Sequence, residues 1–149
     1  MTVSSQLSAD TSVELVEFQH LKGLPNNNAV EALVKNLGVV YVTSITRDGC
    51  SGCTEQKPLY RELARKMSAD LLEKVHFSNV HIRYAEDYTA ESWESKRVFR
   101  HAAYPTYLIH VRSKEGVLEV YRAVYPTMEE LEKQTRESLD LAKFYRDEA

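Results

Sequence analysis

Cys50 and Cys53 are the only thiols of the chain, and Ser51 and Gly52 separate them. They follow a strongly apolar run and precede residues with helical periodicity. At the first turn of a helix, this spacing lets the two sulfurs meet. The unpaired N–H groups and the positive end of the helix dipole then favour the thiolate of the first cysteine. The residues therefore predict a reversible dithiol that takes part in thiol–disulfide exchange.

Two other interpretations of the cysteines are open: a pair of core residues, or half of a metal site. The neighbours Asp48, Gly49 and Thr54 are small or polar, whereas buried thiols usually lie among apolar residues. A four-ligand zinc site would need two further ligands, but the chain has no second cysteine pair and its five histidines are scattered. The sequence therefore predicts no metal, and we expect no cofactor.

The composition indicates a globular protein with one core. Of the 149 residues, 43% are hydrophobic and 28% are charged, a balance typical of a single soluble domain. We predict a flexible polar tail over residues 1–12 and a single domain over residues 13–149. The net charge is −3 and the pI is about 6.0, which gives no support for a nucleic-acid partner.

The sequence also bears on location. It has no apolar stretch long enough to span a membrane, and its polar N-terminus does not resemble a secretory signal. The two cysteines lie in one motif instead of forming a disulfide framework. We therefore predict a protein of the reducing cytoplasm with no membrane partner.

Hydrophobic periodicity predicts nine elements in the order β-α-β-α-β-α-β-β-α. Strands are predicted over residues 13–18, 39–46, 80–84, 106–111 and 117–121. Helices are predicted over residues 28–37, after Cys50 through Leu71, over residues 89–101, and from Thr127 through Ala142. The strand at residues 39–46 is apolar on both faces, as in a central strand of an α/β sheet. The last two strands form a hairpin around Gly116, and Thr127 with Glu130 opens the last helix as a capping box.

Two of the predicted helices carry residues with specific expectations. The helix after Cys50 is amphipathic, with Leu59, Leu63, Met67 and Leu71 on its apolar face. Pro58 lies within it, so we expect a kink there. Trp93, in the next helix, either packs against the rest of the protein or contributes to a substrate surface, and we expect it to pack.

Three local features together resemble the thioredoxin-like fold family. The C-x-x-C motif lies at a strand-to-helix junction, Pro58 follows Cys53 by five residues, and Tyr104-Pro105-Thr106 immediately precedes the hairpin. The resemblance covers residues 13–142. It implies an α/β thioredoxin-like fold with a central mixed sheet flanked by helices.

The resemblance also implies a role for each motif residue. Cys50 would be the exposed nucleophile that attacks a protein disulfide, and Cys53 would be the buried thiol that resolves the mixed disulfide. Pro105 would be cis and lie against the motif. Substrate would bind at Tyr104, Pro105 and Thr106, while Gly49, Ser51, Gly52 and Pro58 would support the motif. The implied partners are proteins with disulfides and an upstream dithiol reductase.

The chain departs from thioredoxin itself at three points. Gly49 stands where thioredoxins have a tryptophan, Ser44 stands where they have a buried aspartate, and the central dipeptide is Ser-Gly. That aspartate is thought to help deprotonate the resolving thiol. Its loss implies either another base or a thioredoxin-fold binding or redox-sensing module with little turnover. Glutaredoxin fits less well, because the hairpin offers only Gly116 and lacks that family's paired glycines.

Several charged residues near the motif have two interpretations. Arg47, Asp48, Glu55 and Lys57 are either charges that tune Cys50 or solvated loop charges. His101, four residues before Pro105, is either a catalytic group or a structural one. The sequence leaves open whether exchange runs in the direction of a reductase, an oxidase or an isomerase.

Overall fold

The computed structural model describes residues 12–21, 24, 28–84 and 89–149. The predicted tail, except for its last residue, lies outside the described residues. The domain boundaries stay a prediction.

In the part of the chain that the structure describes, five strands form one mixed sheet in the spatial order β1-β3-β2-β4-β5. Strands β1, β3 and β2 are parallel to one another, while β4 runs antiparallel to β2 and β5 antiparallel to β4. Their bounds are β1, Val13–Glu17; β2, Val40–Arg47; β3, Val75–Ile82; β4, Thr106–Ser113; and β5, Gly116–Val124. The predicted hairpin is therefore confirmed, and the order of the strands along the chain agrees with the prediction.

Within the described residues, four α-helices connect or follow the strands. Their bounds are α1, Asn28–Leu33; α2, Ser51–Leu71; α3, Thr89–Phe99; and α4, Met128–Glu148. Short 3₁₀ turns follow β1 and α2. Thr127 caps α4, with its hydroxyl accepting from the Glu130 amide at 3.1 Å.

The helices enclose two apolar clusters on opposite faces of the sheet. Residues of α2 and α4, such as Met67 and Leu131, pack against Val42 and Phe77 on one face. On the other face, residues of α1 and α3 pack against Ile45 and its neighbours. Because β2 is covered on both faces, its continuous apolar sequence is explained. The predicted mixed sheet flanked by helices is confirmed.

Helix α1 is shorter than predicted because side chains from other elements form hydrogen bonds with the backbone groups that follow it. It ends at Leu33, although the predicted helix continues to residue 37. Arg112 donates from Nη1 to the Val34 carbonyl at 2.9 Å, and the Asn36 amide donates to the Tyr41 hydroxyl at 2.9 Å. These groups are satisfied without a further helical turn.

Strand β3 begins five residues earlier than predicted. Its buried Val75 and Phe77 alternate with the half-buried His76, and buried Ser78 is followed by half-buried Asn79. These polar residues interrupt the apolar pattern from which a strand is predicted. Their positions are fixed by parallel pairing with β2, which sequence periodicity does not report.

Helix α2 leads from the cysteine motif into the core. It continues through Pro58, which has no N–H to donate to the Thr54 carbonyl. Met67 and Leu63 are buried as predicted. Leu59 is 52% exposed, so its predicted core position is wrong.

Tyr60 links α2 to the two central strands. Its buried hydroxyl lies 3.1 Å from the Val42 carbonyl and 2.8 Å from the Ser78 carbonyl, and donates to them. Burial raises the pKa of Tyr60 well above its ordinary value, so the hydroxyl keeps its proton.

Replacing Tyr60 with Phe removes the only donor of that side chain, and two buried carbonyls lose a partner. We expect the free energy of unfolding to fall by about 1 kcal/mol, measured by urea denaturation. Tyr145→Phe is the control, because Tyr145 is partly buried and makes no side-chain hydrogen bond with the described residues. Equal losses in the two variants would contradict the assigned role of the Tyr60 hydroxyl.

Candidate active site at the Cys50–Cys53 motif

The cysteines lie where β2 passes into α2. Gly49, with a φ of 71°, lets the chain turn after the strand. Cys50 is the N-cap of α2, and its Sγ accepts from the Cys53 amide at 3.1 Å. The two residues are joined as a disulfide, with their Cα atoms 5.2 Å apart. The pair is thus placed at a helix N-terminus, where unpaired amides favour a thiolate in the reduced state.

In this oxidised state, the two cysteines are almost equally covered. Cys50 is 8% exposed and Cys53 is 7% exposed. The predicted contrast between an exposed Cys50 and a buried Cys53 is therefore absent from the residue exposures. Their separate chemical roles stay a prediction.

The loop before β4 lies directly against the motif. The Tyr104–Pro105 peptide bond is cis, the conformation that the resemblance implies. A Cβ placed on Gly52 would lie 3.3 Å from Pro105 Cδ and 3.4 Å from the Tyr125 ring. Glycine at this position therefore permits the close approach of the loop.

Tyr125 is a neighbour of the motif that sequence analysis missed. Its amide donates to the Pro105 carbonyl at 3.0 Å, and its ring is 47% exposed beside Gly52. Gln56, on α2, donates to the Pro126 carbonyl at 2.7 Å. The turn after β5 is thereby tied to both Pro105 and α2. Because Tyr125 lies 72 positions beyond Cys53 in the chain, local sequence spacing carries no signal for this contact.

Tyr104 is held by a polar network around its hydroxyl. Its hydroxyl lies 2.8 Å from Ser92 Oγ and 3.1 Å from Ser95 Oγ. His101 Nε2 lies 3.0 Å from Ser95 Oγ, and its Nδ1 donates to the Ala103 carbonyl at 3.1 Å. His101 is buried and both of its ring nitrogens are engaged, so the structure favours a structural role over a catalytic one.

Thr106 is buried like Pro105, whereas Tyr104 is half-buried. Thr106 is 1% exposed, and its hydroxyl donates to the Ala103 carbonyl at 2.7 Å. Its side chain is therefore directed to the loop, while Tyr104 and Pro105 line a surface opening with Ser51, Gly52 and Glu55.

A neutral polar network surrounds Ser44, which stands where thioredoxins have a buried aspartate. Asn79 Nδ2 lies 2.9 Å from both Ser44 Oγ and Thr46 Oγ1, and 3.2 Å from the Ser44 carbonyl. These three residues line a cavity of about 410 Å³ together with Cys53. Among the described residues, no carboxylate takes part in the bonds of this network.

Ionisable side chains line another part of the same cavity. His81 lies 2.8 Å from Glu17 Oε1 through Nδ1 and 2.7 Å from Asp48 Oδ1 through Nε2. Burial opposes protonation of His81, but hydrogen bonds to the two carboxylates raise its pKa overall. The hydrogen bond from His81 lowers the pKa of Asp48. Lys57 also lines this cavity.

Arg47 stacks on the aromatic rings next to the motif. Its guanidinium carbon lies 4.3 Å from the Tyr84 ring centroid and 5.5 Å from that of Tyr104. Lys96 Nζ lies 5.7 Å from the Tyr104 centroid. Trp93, in the same helix as Lys96, is 66% exposed, so its expected packing is wrong.

Two other features are absent from the described part of the chain. In the described ranges, no group of three or more His, Cys, Asp or Glu side chains is placed to hold a metal ion. None of the helices in these ranges combines the length and apolar character needed to cross a membrane.

Several solved structures with the same architecture are thioredoxins. Trichomonas vaginalis thioredoxin has a TM-score of 0.62 at 8% identity, covering 85% of this chain and 96% of that one. Fasciola hepatica thioredoxin has a TM-score of 0.55 at 21% identity, covering 83% and 98%. A thioredoxin f2 in complex with ferredoxin:thioredoxin reductase has a TM-score of 0.55 at 16% identity, covering 85% and 94%.

Sequence comparisons add no closer relative. No family model matches the chain, and no curated protein matches it. The structural similarities show that the chain has the thioredoxin fold, as the motifs imply.

Proposed function

We propose that the protein is a thiol–disulfide oxidoreductase that acts on protein disulfides through Cys50 and Cys53. The observation that carries this proposal is the pairing of the two sulfurs at the N-terminus of α2, against the cis Pro105 loop. A pair that closes within one helical turn can form and release a disulfide without rearranging the core.

In the reducing direction, the Cys50 thiolate attacks one sulfur of the substrate disulfide. A mixed disulfide forms between Cys50 and the attacked sulfur. The substrate S–S bond breaks, and the other substrate sulfur leaves as a thiolate that takes a proton. The Cys53 thiolate then attacks Cys50 Sγ. This step forms the Cys50–Cys53 disulfide, breaks the mixed disulfide and releases the second substrate thiolate. Two electrons have passed to the substrate.

The proton of Cys53 needs an acceptor other than Ser44. We propose that solvent in the adjoining cavity accepts this proton. Glu17, Asp48 and Lys57 also line that cavity. The neutral Ser44–Asn79 pair positions groups around this cavity without accepting a proton at neutral pH. This route differs from direct transfer to a buried carboxylate.

Tyr104 and Pro105 are the proposed substrate-contacting residues. They line the opening beside Ser51 and Gly52, where an extended segment could lie along the loop. The buried side chain of Thr106 supports the loop from within. Gly49, Gly52 and Pro58 are proposed to maintain the motif and its helix.

The reduced protein must be regenerated by an upstream dithiol reductase. Support comes from the thioredoxin f2 structure, which contains ferredoxin:thioredoxin reductase. We propose a cytoplasmic protein in which residues 13–149 form one domain.

A binding or redox-sensing module is the second candidate function. The neutral Ser44–Asn79 pair favours it, because slow deprotonation of Cys53 would limit turnover. Such a module would bind partners at Tyr104 and Pro105 without rapid exchange.

A redox titration tests the leading proposal. The protein is equilibrated in glutathione and dithiothreitol buffers, thiols are trapped, and the two forms are quantified by mass. We expect one two-electron transition between the Cys50–Cys53 disulfide and the dithiol. A midpoint at or below the cytosolic glutathione poise supports a reductase, and a more oxidising midpoint supports an oxidase or isomerase. Absence of an intramolecular disulfide at every potential would overturn the proposal.

A further inference from the structure

The Arg47 guanidinium lies next to Gly49, the residue that directly precedes the cysteine motif. Arg47 Nη1 lies 3.6 Å from the position of a Cβ on Gly49, which directly precedes Cys50. The same nitrogen donates to the Asp48 carbonyl at 2.8 Å. Together with the Tyr84 and Tyr104 rings, these contacts hold a cation next to Gly49, the residue before Cys50.

Arg47 has no carboxylate partner among the residues that the structure describes. The adjacent Asp48 carboxylate is instead engaged by His81 and the Tyr84 amide, at 2.7 and 3.2 Å. Most other described arginines do have such a partner: Arg65, Arg83, Arg97, Arg112, Arg122, Arg136 and Arg146. The charge of Arg47 is therefore stabilised by aromatic faces and a carbonyl, and its remaining N–H groups are free of any anion in the described chain.

Stacking preserves the part of the guanidinium that recognises anions. A guanidinium stacked on a ring keeps its N–H donors at the edge of its plane, where they match the two oxygens of a carboxylate. Arg47 is half-buried and pre-positioned by Tyr84 and Tyr104, so little side-chain entropy remains to be lost on binding.

Unpaired basic side chains lie around Arg47, while Glu17 and Asp48, the two carboxylates of the same cavity, are hydrogen-bonded to His81. Lys96 Nζ approaches the Tyr104 ring, and Lys57 and Arg61 line the cavity that Arg47 shares with Cys53. None of these three has an ion-pair partner among the described side chains. The acidic Glu55 lines the other opening, with Gly52 and Tyr125. A locally positive surface therefore lies on one side of the motif, although the whole chain carries a net charge of −3.

We propose that Arg47 is a specificity-determining residue that binds an acidic side chain of the substrate. The partner is a protein whose reactive cysteine is flanked, in an extended segment, by Asp or Glu. The Arg47 edge binds that carboxylate bidentately, Lys96 adds a longer-range attraction, and the segment continues across Pro105. This inference rests on the proposed function, since it concerns the substrate of the same site.

The test separates recognition from exchange by using peptides that cannot react. Fluorescent peptides carry Ser in place of Cys, with Glu, Gln or Lys at the flanking positions. Their dissociation constants for the oxidised full-length protein are measured by anisotropy at low and high salt. We expect the Glu peptide to bind about tenfold more tightly than the Gln peptide at low salt, with the Lys peptide weakest.

Arg47→Gln is expected to reduce the Glu-over-Gln preference to about onefold, and Arg47→Lys to leave an intermediate preference. Lys114→Gln, in the exposed turn between β4 and β5, is the control for loss of one positive charge. It should keep the full preference. Thermal unfolding of each variant establishes that it is folded.

Three outcomes would overturn the inference: no measurable binding of any peptide, equal binding of the Glu and Gln peptides, or a preference that survives in Arg47→Gln. The redox titration is independent of these measurements. If the titration fails but the Arg47-dependent preference is found, the surface belongs to a binding module. If the titration succeeds without the preference, exchange occurs with another substrate class.

Discussion

Replacement of Cys50 by Ser is expected to lower disulfide reductase activity by roughly a thousandfold or more, because it removes the attacking sulfur. Replacement of Cys53 by Ser is expected to have a different result. Attack by Cys50 can still occur, but no second thiol releases the substrate, so mixed disulfides accumulate. The two variants thus distinguish the nucleophile from the resolving residue.

Activity is measured by reduction of a model protein disulfide, and mixed disulfides are measured by acid trapping, non-reducing electrophoresis and mass spectrometry. Lys114→Gln serves as the control with both cysteines intact. The double variant of Cys50 and Cys53 should trap nothing. If Cys50→Ser traps partners and Cys53→Ser does not, the two roles are reversed. If Cys50→Ser keeps its activity, the exchange mechanism is wrong.

An experiment is needed to assign these roles, because the two cysteines are almost equally exposed in the oxidised structure. Cys50 and Cys53 are 8% and 7% exposed, and one disulfide contains both sulfurs. Their difference lies in position along α2. Cys50 is the N-cap, and its Sγ accepts from the Cys53 amide, whereas Cys53 lies one turn inside the helix and lines the cavity with Ser44. An N-cap sulfur gains most from the free amides of the first turn.

The fold follows from the sequence where burial is uniform along an element. Val40, Val42 and Ile45 are fully buried on β2, and their apolar run is readable without any other information. Prediction fails where long-range contacts decide. Leu59 continues a helical apolar pattern yet is exposed, and Trp93 is exposed although its type is usually packed.

The site is predictable at its local centre and less so at its periphery. The C-x-x-C spacing and the Tyr104-Pro105 step are local, and each could be found in the sequence. The bonds from Asn79 to Ser44 and the stacking of Arg47 on Tyr84 join residues more than thirty positions apart. Parallel pairing of β2 and β3 creates both contacts, and no local pattern encodes it.

Acidification is expected to destabilise the protein through two buried histidines. His101 and His110 are each 5% exposed, and burial lowers the pKa of each to about 4. Lys96 and Arg122 add to the effect at His101. At His110, Glu119 acts in the opposite direction and Arg122 in the same one.

The direction of this stability change follows from where the folded and unfolded chains bind protons. The unfolded chain binds a proton at each histidine below its ordinary pKa of about 6.5, while the folded protein does so only near pH 4. Stability is therefore lost as the pH falls through this window. Between about pH 7.5 and about pH 5, each histidine is expected to cost about 2 kcal/mol. His81 acts oppositely: its raised pKa makes its contribution largest below about pH 6.5 and lost as the pH rises through the folded value.

Urea denaturation of the wild type and of single His→Gln variants at the two pH values separates these terms. His101→Gln and His110→Gln should each reduce the loss on acidification, and His81→Gln should increase it. His76→Gln, at a half-buried site, is the control for loss of an imidazole. His101 also supports Tyr104 through Ser95, so its variant is expected to weaken the loop before Pro105 at both pH values. His110 lies in mid-strand and lacks a partner at Nδ1 among the described residues, so its variant tests burial together with the opposing charges of Glu119 and Arg122. Unchanged pH dependence in both variants would show that neither histidine is held neutral by the fold.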